Sequence, residues 1–191
     1  MEETGDLVRA AAAGDQRSWD VLVERFTGLL WAVARAHRLR EADAADVVQT
    51  TWLNLVQNLG RIRQPEHVGA WLATTARREC LRTLNRDQRH VLTDDETSLQ
   101  VREPPPPTPE DDVLAAERLA LLRAALEELP PRCQRLLRVL TADPAPTYEQ
   151  VSAALGMPVG SIGPTRARCL ERLRHHARLA GIVPSTGASV Q

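Results

Sequence analysis

Residues 93–112, TDDETSLQVREPPPPTPEDD, are acidic and poor in apolar side chains. Four consecutive prolines, Pro104 to Pro107, favour extended polyproline II, and the flanking carboxylates repel one another. The segment reads as a semi-rigid exposed linker, so whatever packs in this chain packs on either side of it. The expectation is two small domains, 1–92 and 113–180, with 181–191 a disordered tail of small and polar residues.

Both flanks carry helical periodicity. After Asp15, a plausible N-cap, Trp19, Leu22, Val23, Phe26, Leu29, Leu30 and Val33 recur at spacings of three and four. Glu41 to Leu59 repeats the pattern through Val47, Val48, Trp52, Leu55 and Val56, and Gly60 stops it. A third helix is expected over roughly 66–89, with Pro65 just ahead of its first turn. Beyond the linker, helices are expected over 111–129, 131–141, 147–155 and from about Ser161 to Arg178. Thr147 and Gln150 have capping-box spacing, and Gly156 supplies a helix stop. Ala, Leu, Arg and Glu dominate while β-branched runs are scarce, which makes the fold class all-α.

Cys80, Cys133 and Cys169 are odd in number and widely spaced, with no CxxC, so neither a metal site nor a disulfide framework is expected. His175 and His176 are neighbours and point about 100° apart on a helix, which suits solvated side chains better than ligands. Without a signal peptide or a membrane-length apolar run, the expected location is the cytoplasm, with no membrane insertion. No cofactor is implied, and no carboxylate pair or nucleophile constellation suggests an enzyme.

The formal charge of −1 hides basic blocks at 77–89 and 166–178. On a helix, Arg78, Arg82, Asn85, Arg86 and Arg89 fall within one arc of about 100°, opposite Leu72, Ala76 and Cys80. Such a helix can bury one face and lay the other along phosphates, with Asn85 available for base edges. Trp71 falls near the same arc, where an indole can stack on an unpaired base. The competing readings are a solvated basic face and a core tryptophan. A short helix, Gly156 and a basic helix form a helix-turn-helix candidate for the major groove. If Ser161 is its N-cap, Pro164 falls in the first turn, where a missing N–H loses no helical bond. Ser161, Thr165, Arg168 and Arg172 would then form the DNA stripe, Ile162, Leu170 and Leu173 the core stripe. Arg166 would lie on the core side of an ideal wheel, so it must snorkel to the rim or the frame must shift near Gly163. Asp43, Asp46, Gln49 and Thr50 lie on the polar face of an otherwise apolar helix and suit protein docking, or plain solvation.

Two stretches, DVVQTTWLNLVQNL followed by GAWLATTARRECLRTL, resemble region 2 of the extracytoplasmic-function class of bacterial sigma factors, in the sigma-70 family. LPPRCQRLLRVL with TYEQVSAALGMPVGSIGPTRARCLERLR resembles their region 4. The resemblance implies a non-enzymatic initiation factor whose partners are core RNA polymerase and promoter DNA, with an anti-sigma factor as a further candidate. Asp46 and Gln49 match polar positions that dock on the polymerase clamp helices, with Asp43 and Thr50 beside them. The loop 62–67 and the helix carrying Trp71, Arg77, Arg78, Arg82, Asn85 and Arg86 match the segment that captures the unpaired −10 element. The helix after Gly156, with Ser161, Thr165, Arg166, Arg168 and Arg172, matches the reader of the −35 duplex. The family often has Asn where Arg78 stands, and ordinary helix formers at Gly163 and Pro164. The alternative is a stand-alone helix-turn-helix regulator, which would normally dimerise on two half-sites.

Overall fold

The structure, a computed structural model, describes residues 3–91 and 111–179; the expected linker and tail lie outside the described residues. The fold is all-helical, and the described residues contain no strand. The helices are α1 (Thr4–Ala12), α2 (Gln16–Ala36), α3 (Glu41–Asn58), α4 (Val68–Val91), α5 (Asp111–Glu127), α6 (Pro131–Leu140), α7 (Tyr148–Leu155) and α8 (Val159–Leu179). Two 3₁₀ turns, Leu59–Arg61 and Pro65–His67, join α3 to α4.

Contacts divide the chain into two compact units, Met1–Leu99 with Arg135–Ile162, and Gln100–Gln134 with Gly163–Gln191. The grouping therefore does not simply follow the proline segment, because residues 135–162 belong with the N-terminal helices.

The first unit is built on the periodicity of its helices. Leu22, Leu30, Leu55, Leu72 and Leu136 are fully buried, alongside Val33, Val68, Val139, Val151 and Ile162. Truncating any one of these leucines to alanine would cost about 2–5 kcal/mol. Trp19 and Trp52 are half-buried and meet edge to face at 5.7 Å. The N-cap of α2 is Asp15, whose carboxylate accepts from the Ser18 N–H at 2.9 Å and from the Ser18 hydroxyl. Those bonds hold its carboxyl below the usual range. Thr147 and Gln150 close a reciprocal capping box on α7. Gly156 ends α7 with φ 63°, the left-handed conformation that favours glycine.

In the second unit, the Gln134 amide donates to the Glu127 and Leu129 carbonyls and so satisfies the exit of α5. Cys133 of α6 and Cys169 of α8 form a disulfide across a separation of 36 residues. This corrects the sequence expectation of no disulfide; the bridge depends on how α6 and α8 pack, which spacing alone does not express. Cys80 stays a free thiol in the core, and burial pushes its pKa up to about 12.

The start of α8 is a second correction. The helix begins at Val159, with the Ser161 N–H and hydroxyl both donating to the Pro158 carbonyl, at 2.9 and 2.7 Å. Ser161 is therefore a first-turn residue, and Pro164 lies inside the helix. The sequence shows how that is tolerated. Gly163, before the proline, has no Cβ to meet its ring, and Gly160 stands at the i−4 position whose carbonyl the ring crowds.

Candidate nucleic-acid interface

On α4, Trp71, Thr74, Thr75 and Arg78 follow at spacings of three and four, and so share one face. Facing them is the loop made by the two 3₁₀ turns. Together they enclose an open cleft of about 570 Å³, whose loop side carries Arg61, Ile62, Arg63, Gln64 and His67, with Asn58 from α3. The loop is buttressed by α1, whose Leu7 and Val8 are buried in the core.

The cleft chemistry suits a single strand. Trp71 is half-buried, so its indole has packing support and an accessible part. Thr74 and Thr75 donate their hydroxyls to the Ala70 and Trp71 carbonyls, each at 2.9 Å, leaving oxygen lone pairs to accept. The Asn58 amide donates to Asn54 O at 2.8 Å, leaving its own carbonyl oxygen as an acceptor. Arg61, Arg63 and Arg78 are exposed around this site, and among the described residues no carboxylate lines it. Cations beside an aromatic platform serve the two needs of an unpaired strand, phosphate neutralisation and base stacking.

The structure brings Trp71 and Arg78 to this cleft and leaves other candidates away from its lining. Arg77 is half-buried with its guanidinium against Gly156. Arg82 is exposed and pairs with Glu79 at 2.6 Å. Asn85 and Arg86 lie exposed farther along α4. Leu72, Ala76 and Cys80 occupy the buried side, as their spacing predicts. Arg63 lies in the loop 62–67 named from the sequence, whereas Arg61, Asn58, Thr74 and Thr75 fall outside the residues singled out there. The alternating arginines of RIR are the available signal for Arg61.

On α3, Asp46, Gln49 and Thr50 are exposed, and Leu53 and Val56 extend that surface at 54% and 56% exposure. An apolar pair so open, on a helix whose opposite side is buried, makes this face a better candidate for protein docking than the polar residues alone would. Asp43 does not belong to it. It is buried and accepts from Arg40 Nε at 2.8 Å, in the first turn of α3.

Among the described residues of α8 the buried positions are Ile162, Thr165 and Cys169. Thr165 thus moves from the expected DNA stripe to the inner side, and its hydroxyl has no hydrogen-bond partner among the described residues. Arg166 is exposed rather than on the core side. At 100° per residue, half-buried Ser161 and exposed Arg168 and Arg172 share an arc of about 40°, with Arg166 about 160° from Arg168. The packing of α8 sets this frame, which an ideal wheel started at Ser161 misses. Among the described residues no cluster of His, Cys, Asp or Glu could hold a metal ion, and no helix is long and apolar enough to cross a membrane.

Comparison with known proteins gives the class. Residues 22–90, which hold the cleft and the α3 face, match the family model of sigma-70 region 2. The chain is 26% identical over 186 residues to the ECF RNA polymerase sigma factor SigM of Mycobacterium tuberculosis, covering 97% of this chain and 88% of the relative. Its fold resembles that of CnrH, solved in complex with the cytosolic domain of CnrY, at TM-score 0.59 and 24% identity over 93% of this chain and 99% of that one. It also resembles the sigma factor RpoE from Bartonella quintana, solved with the anti-sigma factor NepR, at TM-score 0.58 and 21% identity over 84% of this chain and 98% of that one. Residues 22–90 thus carry a sigma-70 region 2, and over most of its length the chain resembles a sigma factor of the extracytoplasmic-function class.

Proposed function

We propose that this sigma factor docks on core RNA polymerase through the exposed face of α3 and directs it to promoters with two DNA-reading elements. The cleft at Trp71 and Arg78 holds the unpaired −10 strand, and α8 reads the −35 duplex with Arg168 and Arg172. In this reading residues 1–92 act as region 2, 93–112 as linker, 113–180 as region 4 and 181–191 as tail. Polymerase performs the chemistry; the sigma factor supplies position and base choice.

The observation that carries the proposal is the cleft, where a half-buried indole and three exposed arginines converge with no carboxylate among the described lining residues. Phosphate contacts would make binding salt-dependent, and base contacts would add sequence choice. The exposed Leu53 and Val56 beside Asp46 and Gln49 give the docking face an apolar centre with polar neighbours, the composition of a protein interface. By analogy with the complex of RpoE with the anti-sigma factor NepR, an anti-sigma factor is a second partner class.

In vitro transcription with core polymerase on a genomic fragment library, with start-site mapping, tests the reading. Start sites sharing upstream elements at fixed distances are expected. Symmetric dimer binding to isolated duplex DNA, with no stimulation of core polymerase, would favour the stand-alone regulator instead.

A further inference from the structure

The cleft at Trp71 has a polarity across it, set by which hydrogen-bond donors are already spent. On the α4 side, Thr74 and Thr75 each have one hydroxyl proton, and both give it to carbonyls one turn back, those of Ala70 and Trp71. A hydroxyl whose proton is committed can only accept, through its remaining lone pairs. Asn58, at the end of α3, spends an amide N–H on the Asn54 carbonyl and presents its side-chain oxygen as a third acceptor. On the loop side stand Arg61 and Arg63, both exposed, which can only donate. Gln64 and His67 of the same loop can each donate or accept, so they leave the polarity unchanged. One wall of the cleft therefore asks for N–H groups and the other for acceptors.

The four bases answer such a cleft differently. Guanine has two neighbouring donor groups, N1–H and the N2 amine, and carries O6 and N7 side by side on its major-groove edge for an arginine fork. Adenine and cytosine each offer one amine with a ring-nitrogen acceptor directly beside it, and thymine offers one N–H between two carbonyls. Against Thr74 and Thr75 those acceptors would meet lone pairs. A base that displaces water from a polar group without replacing its bond leaves that group unsatisfied. Guanine alone matches both walls. On the proposed function, on which this inference rests, the cleft holds an unpaired base of the −10 strand. We infer that the base held over Trp71 is a guanine. Its N1–H and N2 amine face Thr74, Thr75 and Asn58, its O6 and N7 face the loop arginines, and Arg78 keeps the neighbouring phosphate. Promoters opened by this chain then carry a guanine at one fixed unpaired position.

Selection on altered bases tests this. Holoenzyme assembled from the full chain and core polymerase is given a pool of forked duplexes whose single-stranded arm is randomised, and the retained molecules are sequenced. Guanine is expected at one arm position, enriched about 5- to 150-fold over each other base, the range for one well-paired base edge. Probes with inosine at that position lack the N2 amine, and probes with 7-deazaguanine lack N7; each should lose part of the preference. These probes act on the wild-type chain, so the test does not depend on a variant folding. Thr74→Val with Thr75→Val keeps the β-branched shape, removes two acceptors and should narrow the gap between guanine and inosine. Arg61→Ala with Arg63→Ala should instead narrow the gap between guanine and 7-deazaguanine. A retained pool with no guanine position overturns the inference and leaves the sigma reading standing. So does a preference that inosine and 7-deazaguanine share in full, or an inosine gap untouched by the threonine pair. A pool retained no better by holoenzyme than by core polymerase alone removes the sigma reading, and the guanine site with it.

Discussion

Trp71 and Arg78 stand two turns apart on one face of α4 and line the same cleft. Their chemistry differs, so their variants should separate. Trp71→Ala removes a stacking surface and is expected to weaken capture of an unpaired −10 strand by about 1–3 kcal/mol, with Trp71→Phe falling between. Arg78→Ala should weaken binding and reduce the salt slope by about 0.7, the share of one neutralised single-strand phosphate. Fluorescence anisotropy titrations across salt concentrations check both. A salt slope untouched by Arg78→Ala would remove that arginine from the phosphate path.

The α3 candidates should divide in the same way. Asp46→Arg reverses an exposed charge and is expected to reduce association with core polymerase by at least about 10-fold, with an unchanged melt. Leu53→Asp should do likewise through the apolar part of the face. Asp43→Ala should instead leave association intact and lower stability by about 0.5–1 kcal/mol, because it loses the Arg40 partner and a favourable first-turn charge. Co-purification with polymerase beside thermal melts decides. Wild-type association by Asp46→Arg would reject α3 as the docking face.

What the sequence made legible were the features that neighbours along the chain determine. Asp15, Thr147 with Gln150, and Gly156 act on backbone groups a few residues away, so local spacing located them. Apolar periodicity likewise located the buried sides of α2 and α4. The helix wheel failed where packing covers a flank. Asp43 and Thr165 sit at the edges of polar stripes, and whether an edge is covered depends on neighbours that a single helix does not specify. The pairing of Cys133 with Cys169 failed to register for the same reason, since tertiary packing brings 36 residues into register. The first helix, Thr4–Ala12, was missed because its apolar signal is little more than Leu7 and Val8 beside an alanine run.

The disulfide gives a stability prediction. Closing a loop of 36 residues removes chain entropy from the unfolded state, worth about 4 kcal/mol in the loop-entropy account. Denaturant unfolding with and without a strong reductant should show a loss of that order in the segment holding α8, and Cys133→Ala with Cys169→Ala should reproduce it. Coincident curves, with both thiols titratable in the unreduced protein, would show the pair unbonded in solution.

His37 should make stability fall in mild acid. Burial holds its pKa below 6.5, with the positive charges of Arg135 and Arg77 acting in the same direction; its ring bond to the Val33 carbonyl opposes them. The unfolded chain therefore binds this proton first as pH drops, and stability declines from about pH 6.5 down to the lowered folded value. The slope from one such group is at most about 1.4 kcal/mol per pH unit. Urea unfolding of wild type and His37→Gln at pH 7.5 and pH 5.5 should show a smaller acid loss in the variant. Equal losses would assign the acid sensitivity to other groups.

Pro164 offers the sharpest check on the frame of α8. Inside the helix it removes an N–H that would reach the Gly160 carbonyl, so Pro164→Ala should stabilise, by up to about 3 kcal/mol. A proline in the first turn would give almost no change. Gly163 supplies the second arm, because a Cβ before proline clashes with the ring. Gly163→Ala should therefore destabilise when Pro164 is present, and stabilise by about 0.5–1 kcal/mol once Pro164 is alanine. The sign change is a coupling between adjacent residues that a double-mutant cycle of thermal melts reads directly. Additive effects, with Pro164→Ala silent, would mean that α8 starts later than Val159 and that Arg168 and Arg172 no longer share an arc with a first-turn Ser161.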